Sequence, residues 1–533
     1  MRLMRRIPAD LIRANPFNPP DPWSIATRMS ENPVRVCAVI AEATVGAARS
    51  AIKRAASIAD LIEVRLDYLR DFDFTDLAGL RALLKGKPLP AIITCRATSE
   101  GGKLQVDDHI RLRLLVEGAR QAADYCDIEA AHYAQASALS PDTSRLIVSY
   151  HNFDETPVDL DAVYDRLIAL PAAVHKIVTR ANTITDSLAI FNLLDRARGE
   201  GRRLIAIAMG QAGIITRVLG TSRGSFLTYG SLASGKESAE GQLTCEELID
   251  LYRIRRLSRC TSITGIIGSP VGHSASPAMQ NRAFAELDLD FVYLPFDVEG
   301  LAEFFGRFVS PATRELDWNL RGLSVTIPHK SAVIPLLDEV NETASKVGAV
   351  NTVVVSEGRL IGYNTDVRGA MEPLEKVCEL NGENCGVIGA GGAARAVIYG
   401  LVERGARVRV FARNSRAAQS ISESFGVPVS PIESLASSDV RVVINTTPVG
   451  MRGHSEGSTP LPGDALQGRL IVYDLVYNPL ETKLLIDARA DGCRTISGLE
   501  MLIAQAALQF ELWTGKKPPI EEMRSAALAK ITA

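Results

Sequence analysis

The sequence predicts an α/β chain in three parts: a closed (β/α)8 barrel, an αβ domain, and a doubly wound dinucleotide-binding domain. Three observations carry this. First, 533 residues exceed what one core holds, and the length suggests roughly three or four domains. Second, eight short apolar runs alternate with amphipathic segments between residues 34 and 230, with no glycine-rich nucleotide turn among them. Third, Asn384 to Gly400 (NCGVIGAGGAARAVIYG) passes from an apolar run through Gly389, Gly391 and Gly392 into an Ala/Val/Ile-rich helical pattern. That is the strand, tight turn and helix start that cradle a pyrophosphate in a Rossmann domain.

Composition narrows the function classes. The net charge is −3 and no long Lys/Arg block occurs, which argues against nucleic acid or an anionic membrane as main partner. The eight cysteines form no CxxC pair, so reduced thiols are expected, with no disulfide framework and no metal site. No charge-free apolar run approaches the ~18 residues that span a bilayer. Residues 1–32 are rich in arginine and proline and lack an apolar h-region, so they are no secretory signal. They read as a disordered leader, or as a start placed ahead of Met29. A cytoplasmic address is expected, with a plastid as the alternative if the leader is a transit peptide.

The barrel strands are expected at VRVCAVIA (34–41), LIEVRLD (61–67), PAIITCR (90–96), YCDIEA (125–130), RLIVSYH (145–151), AVHKIVT (173–179), LIAIAM (204–209) and FLTYG (226–230). Amphipathic segments such as Asp107 to Asp124 and Asp159 to Leu170 supply the helices between them. Barrels of this kind act at the carboxyl ends of their strands, where Glu63, Arg65, Arg96, His151, Lys176 and Met209 stand. Charged groups there are costly to bury unless partnered, so a ring of them suggests an anionic, polar ligand. Taken singly, Lys176 could be an interior lysine paired with Glu63, and His151 a core histidine bonded to backbone. Together, a lysine on one strand and a histidine on the preceding one suggest amine–carbonyl chemistry. A desolvated lysine surrounded by arginines loses its proton more easily and attacks a ketone to give an imine, which acidifies the adjacent C–H for a neighbouring base.

The ordered strings EVRLD (63–67), TCRATSEGG (94–102), SYHNFDETP (149–157), VHKIVTRANTITDSL (174–188) and GIITRVLGTSRGSFLTYG (213–230) resemble type I 3-dehydroquinate dehydratase over about residues 34 to 250. The resemblance implies that Lys176 forms a Schiff base with the C3 ketone of 3-dehydroquinate. It also implies that His151 removes the C2 proton and later protonates the leaving hydroxyl, supported by Glu100. Glu63, Arg65, Arg96, Arg217, Ser238 and Gln242 are the implied substrate contacts, the last two from a loop (236–242) that closes over the site. One departure stands out: Arg223 occupies a position where the family often has an aromatic residue before Gly-Ser.

A short basic connector (250–262) leads to the second half. SITGIIG (262–268), FVYLPFDV (291–298), GLSVTIPHK (322–330) and GAVNTVVV (348–355) read as strands of an αβ domain, and Pro277 opens a helix. Ser274, Ser276, Thr326, Asn351 and Asp366 are turn or strand-end groups able to hold a polyol, although a hydroxyl such as Ser276 beside Pro277 also suits a helix cap. Lys330, after Pro328, falls at an expected helix start, which the dipole disfavours for a cation. An acid–base pair with Asp366 explains it, since reducing a ketone leaves an alkoxide that needs a proton. In the glycine-turn domain the following strand, RVRVFAR (407–413), carries no Asp or Glu where NAD enzymes hold the ribose hydroxyl. Arg407 and Arg409 fit a solvated strand face, whereas Arg413 and Arg416 can grip a 2′-phosphate. The cofactor reading is NADP.

The strings GHSASP, SVTIPHK, GAVNT, GYNTD, GAGGAARA, NTTPVGM (445–451), DLVYNP (474–479) and GLEMLIAQAALQF (498–510) resemble shikimate dehydrogenase over about residues 262 to 525. This implies Lys330 and Asp366 as catalytic pair, and Ser274, Ser276, Thr326, Asn351, Tyr477 and Gln505 as shikimate contacts. Gly389, Ala390, Gly391, Gly392, Ala393, Arg413, Arg416, Thr446, Met451 and Gly498 become the implied NADPH contacts. The family commonly has Asn-Arg-Thr where Ala412, Arg413 and Asn414 stand here, which puts one adenosine contact in doubt.

The expected domains are a leader (1–32), a dehydratase barrel (33–255), a shikimate-binding domain (262–375) to which a C-terminal helix (498–525) returns, and an NADP-binding Rossmann domain (383–495). The halves resemble consecutive shikimate-pathway enzymes fused in order, as in plant bifunctional dehydratase–dehydrogenases. The implied small molecules are 3-dehydroquinate, 3-dehydroshikimate and shikimate, with no metal, and no oligomeric state is assigned. The alternatives are a quinate- or NAD-using second module, and a catalytically dead sensor or repressor of quinate metabolism. Retention of Lys176, His151, Lys330 and Asp366, with no appended basic module, weighs against the sensor.

Overall fold

The computed structural model describes residues 34–532 apart from 414, 454, 462–464, 467 and 469. The leader expectation and the Asn414 question lie outside the described residues. Eight parallel strands form the first sheet: β1 (Val36–Ile40), β2 (Leu61–Arg65), β3 (Ala91–Thr94), β4 (Tyr125–Glu129), β5 (Leu146–His151), β6 (Val174–Arg180), β7 (Leu204–Met209) and β8 (Thr228–Ser231). Each pairs with its sequence neighbour and β8 pairs with β1, while a single bridge from Leu204 to Ser225 joins the remaining edges. The interior is packed with Cys37, Val39, Leu61, Ile92, Ile147, Val174, Ile205 and Ile207, so it is a core with chemistry only at one end. Aspartates expected to open helices do so: Asp107 accepts from the amides of His109 and Ile110, and Asp159 from that of Ala162.

The αβ domain is a mixed six-stranded sheet of β9 (Ser262–Gly268), β10 (Phe291–Asp297), β11 (Asn319–Val325), β12 (Glu339–Val340), β13 (Thr352–Ser356) and β14 (Arg359–Tyr363). Its order is β10-β9-β11-β13-β14-β12, with β13 antiparallel to both neighbours. The C-terminal segment returns to this domain. Gln280 donates to the Ala506 carbonyl, and the Trp513 indole to that of Val353. The expectation of a single helix over 498–525 is corrected, because helix Gly498–Thr514 stops at Gly515 (φ 67) and a second helix, Ile520–Thr532, starts afresh. Glycine adopts that left-handed cap without a Cβ penalty, and Pro518 and Pro519 cannot continue the amide ladder.

The third sheet is wholly parallel: β15 (Asn384–Ile388), β16 (Arg407–Phe411), β17 (Val429–Ser430), β18 (Val442–Asn445), β19 (Ile471–Asp474) and β20 (Arg494–Ile496), in the order β17-β16-β15-β18-β19-β20. Chain direction across the sheet reverses at β15. The glycine turn therefore stands at the switch point, where open α/β sheets bind ligands.

Arg223 joins the barrel to the αβ domain. Its guanidinium lies over Phe191 at 5.2 Å, donates to the Asp317 carbonyl and stands 3.5 Å from Asp195. Arg259 of the connector grips the same Asp195 at 2.5 and 3.2 Å. A cation where the family often has an aromatic ring thus gives the two modules a charged seam. Arg223→Ala removes a buried donor from that seam and is expected to cost about 1–3 kcal/mol. A thermal melt of the full chain checks this, and an unchanged midpoint would show the guanidinium to be dispensable.

Candidate active sites

At the carboxyl end of the barrel, the catalytic and substrate-contact residues expected from sequence and the strand-end Met209 line one cavity of about 80 Å³, together with Tyr229. Lys176 projects from β6 and is 5% exposed. Its Nζ lies 2.9 Å from Asp127, 3.5 Å from Glu63 and 4.6 Å from the centre of the Tyr229 ring. The expectation of a lysine surrounded by arginines is therefore corrected, since its nearest charged partners are carboxylates. Arg96 stands behind them, bridging Asp127 (3.0 Å) and Glu129 (3.0 Å) and donating to the Ser149 hydroxyl at 2.9 Å. Burial alone would raise the Asp127 carboxyl, but Arg96 and Lys176 outweigh it and hold that carboxyl well below the usual range.

Asp127 and Glu129 escaped the sequence reading. The available signal was two acids at alternate positions inside the apolar run YCDIEA, which places both on one face of β4. Arg111 completes the shell, fully buried, donating to Glu129 and to the Cys95 carbonyl.

His151, at the end of β5, meets Glu100 through Nδ1 at 2.9 Å. Burial, reinforced by the charges of Arg96 and Lys176, depresses its pKa well below the ordinary value, so the imidazole is neutral near pH 7. Burial also pushes Glu100 up to about 7. Above that pH the carboxylate accepts from Nδ1–H and leaves Nε2 as a free base. Below it, protonated Glu100 donates to Nδ1, and the proton moves to Nε2, where no base remains. The barrel reaction is expected to lose rate as pH falls through about 7, and Glu100→Gln should remove this inflection. A pH profile of kcat/KM for the two proteins checks it.

Arg65 is anchored by two bonds to Asp67, at 2.9 and 2.8 Å. Arg217 is 2% exposed, its Nε has no hydrogen-bond partner among the described residues, and among those residues its guanidinium donates only to the Glu240 carbonyl, at 3.4 Å. A buried guanidinium so poorly satisfied suits an anionic ligand. Ser238 donates through its amide and hydroxyl to Gln242, and Glu240 pairs with Arg180 at 2.6 Å. The loop therefore lies closed over the cavity.

The second constellation lies where the αβ and glycine-turn domains meet. Lys330 Nζ is 2.5 Å from Asp366 Oδ2, and Asn351 Nδ2 donates to Asp366 Oδ1 at 2.9 Å. Lys330 sits in a turn after β11, so the expected helix start is corrected and no adverse dipole acts on it. Its stem passes 3.6 Å from where a Cβ on Gly392 would stand, which puts the amine beside the glycine turn. Ser276 is the first residue of helix Ser276–Glu286, and its amide donates to the Ser274 hydroxyl at 3.2 Å. Thr326 follows β11 and packs on Gly268. Tyr477 is half-buried, and burial raises its phenol pKa. Gln505 packs against Gly369, in the helix that Asp366 begins, and donates to the Leu502 carbonyl.

The glycine turn fits a dinucleotide. Gly389 has φ 113, and a Cβ there would stand 2.7 Å from the Thr446 hydroxyl. A Cβ on Gly391, which caps helix Gly392–Glu403, would meet nothing within 4 Å, so the start of the helix is open on that side, with Ala390 and Ala393 half-buried beside it. Arg413 and Arg416 are exposed beyond the end of β16, while Arg409 is bonded to Ser430. Met451 is exposed at 41%. Gly498 is buried where a side chain would strike the Leu475 carbonyl at 2.5 Å. No group of His, Cys, Asp and Glu able to hold a metal occurs among the described residues, and no described helix is long and apolar enough to cross a membrane.

Family models match four stretches: type I 3-dehydroquinase (36–259), shikimate dehydrogenase substrate binding domain (266–353), NADP oxidoreductase coenzyme F420-dependent (384–472) and shikimate 5′-dehydrogenase C-terminal domain (498–528). The chain is 36% identical to the chloroplastic bifunctional 3-dehydroquinate dehydratase/shikimate dehydrogenase of Arabidopsis thaliana, over 92% of this chain and 84% of the relative. It is 41% identical to the NADP(+) shikimate dehydrogenase of Carboxydothermus hydrogenoformans, over 51% of this chain and 98% of that protein. A crystal structure of Thermus thermophilus shikimate 5-dehydrogenase with NADP(H) and shikimate is 37% identical, covering 50% of this chain and 99% of that one, at a TM-score of 0.46.

Proposed function

The chain belongs to the family of bifunctional 3-dehydroquinate dehydratase/shikimate dehydrogenases, and from that premise we propose how its own residues divide the chemistry. The protein dehydrates 3-dehydroquinate to 3-dehydroshikimate in the barrel and reduces that product to shikimate with NADPH in the second module.

In the barrel, Lys176 adds to the C3 ketone and water leaves as the imine forms. The imine acidifies the C2 proton, which the neutral Nε2 of His151 removes. His151 then returns that proton to the departing hydroxyl, and water hydrolyses the imine to release product and free Lys176. Asp127, at 2.9 Å, keeps the nitrogen aimed through its fixed negative charge, while Arg217 holds the substrate carboxylate. In the second module NADPH, when bound, supplies hydride to the carbonyl carbon. The glycine turn holds its pyrophosphate, and Arg413 and Arg416 hold its 2′-phosphate. Lys330 hands a proton to the developing alkoxide, and Asp366, fixed by Asn351, orients that amine.

The observation that carries this reading is the assembly of Lys176, His151 and Glu100 in one buried cavity and of Lys330 and Asp366 beside a dinucleotide turn. A sensor with dead sites would have no reason to retain either assembly. The full chain given 3-dehydroquinate and NADPH should form shikimate with one NADPH oxidised per molecule. A preference for quinate with NAD+ in a substrate–cofactor matrix would replace the second-module assignment. We place the protein in the cytoplasm, with the chloroplast of the Arabidopsis relative as the alternative that cell fractionation decides.

A further inference from the structure

Arg395 belongs to the GAGGAARA run yet holds no part of the site described above. It lies in the first turn of helix Gly392–Glu403, where the dipole disfavours a cation, and no carboxylate among the described residues reaches it within ion-pair distance. Instead its Nε crosses to the αβ domain and donates to the Val347 carbonyl at 2.7 Å. The guanidinium also lies 5.1 Å from the centre of the Phe425 ring and 3.4 Å from the Ser424 hydroxyl on its own lobe, with a terminal nitrogen 3.1 Å from where a Cβ on Gly348 would stand.

The acceptor is well chosen. Val347 ends helix Glu342–Val347, and Gly348 (φ 71) closes it. The Gly348 carbonyl accepts from the Ser331 hydroxyl at 3.1 Å, and the Val350 amide donates to the Lys330 carbonyl at 2.7 Å. The strap 347–350 is thus fixed to Lys330 and Ser331 on one side and to the dinucleotide helix on the other. Around it, Val347, Ala349 and Val367 pack on Ala396 and Tyr399 across the same boundary.

We propose that Arg395 is a positioning residue for the reduction, tying the helix that receives the pyrophosphate to the strap that sets the backbone of Lys330, so that seating the dinucleotide fixes the proton donor. This rests on the dehydrogenase assignment of the second module. Because Arg395 acts between the lobes, its loss weakens communication between the two ligands more than the binding of either.

The test is titration of the full chain with NADP+, with and without saturating 3-dehydroshikimate, a pair that cannot react. Arg395→Ala should bind NADP+ alone within about twofold of the parent, while the factor by which the ketone tightens NADP+ shrinks by about 3- to 30-fold and kcat for reduction falls to match. Arg395→Lys keeps one donor and should recover part of both, and it preserves the test if the alanine protein unfolds. Dehydratase turnover in the same chain reports folding and should not change. An unchanged coupling factor in both variants overturns the proposal. So does a loss of NADP+ affinity without ketone as large as the loss in kcat, which would make Arg395 a local support of the glycine turn. If the parent chain reduces no 3-dehydroshikimate with NADPH, the dehydrogenase assignment fails instead, which separates the two.

Discussion

Lys176→Ala is expected to lower dehydratase turnover by roughly 10⁴-fold or more, the scale on which removing a covalent nucleophile acts. Without the amine there is no electron sink at C3, and His151 must take a proton from carbon beside an unactivated ketone. The arrangement around the lysine makes the effect specific. Asp127 and Glu63 stay buried beside the vacated space, which therefore offers carboxyl groups and no amine to add to the ketone. Lys176→Arg keeps the charge for the two carboxylates but is not expected to restore rate, because a guanidinium stays protonated and does not add to a ketone. Borohydride added to the parent protein with 3-dehydroquinate should attach ligand mass at Lys176. Label elsewhere, or none, would remove the imine from the mechanism. NADPH-dependent reduction in the same variants should be untouched, since Lys176 lies in the barrel and Lys330 beyond the connector.

The barrel was legible because its strands are almost pure apolar runs, so a charged residue inside one had to be exceptional. That logic found Glu63, Arg65, Arg96, His151 and Lys176, and the cavity contains them all. Asp127 slipped through because its partner is 49 positions away, two strands around a parallel ring, and no local spacing encodes that contact. The same blindness produced the mistaken picture of a lysine among arginines, since Arg96 reaches Lys176 only through the intervening Asp127. The glycine turn could be read from sequence because a backbone approach needs glycine at fixed positions, whereas the turn that carries Lys330 is tied to a distant strap, its carbonyl accepting from the Val350 amide and the Ser331 hydroxyl donating to the Gly348 carbonyl. The break at Gly515 lay in plain view as Gly-Lys-Lys-Pro-Pro.

Lys330→Met is expected to reduce kcat for the reduction by about 10²- to 10⁴-fold, the usual worth of a positioned general acid. The pair it leaves is informative. Asp366 is 5% exposed and would keep only Asn351 as partner, so an uncompensated carboxylate remains in a site meant to receive a negatively charged substrate. Substrate affinity should therefore fall along with turnover. Asp366→Asn removes that repulsion but also the group that aims the amine, and should lower kcat with little change in KM. In the double variant Lys330→Met with Asp366→Asn, the losses should not add: once the amine is gone, its orienting partner has nothing left to orient. The double variant should bind 3-dehydroshikimate better than Lys330→Met alone. Steady-state kinetics of the four proteins decides it. Fully additive losses would show that the two residues work independently, and the 2.5 Å contact between them would then have no part in proton transfer.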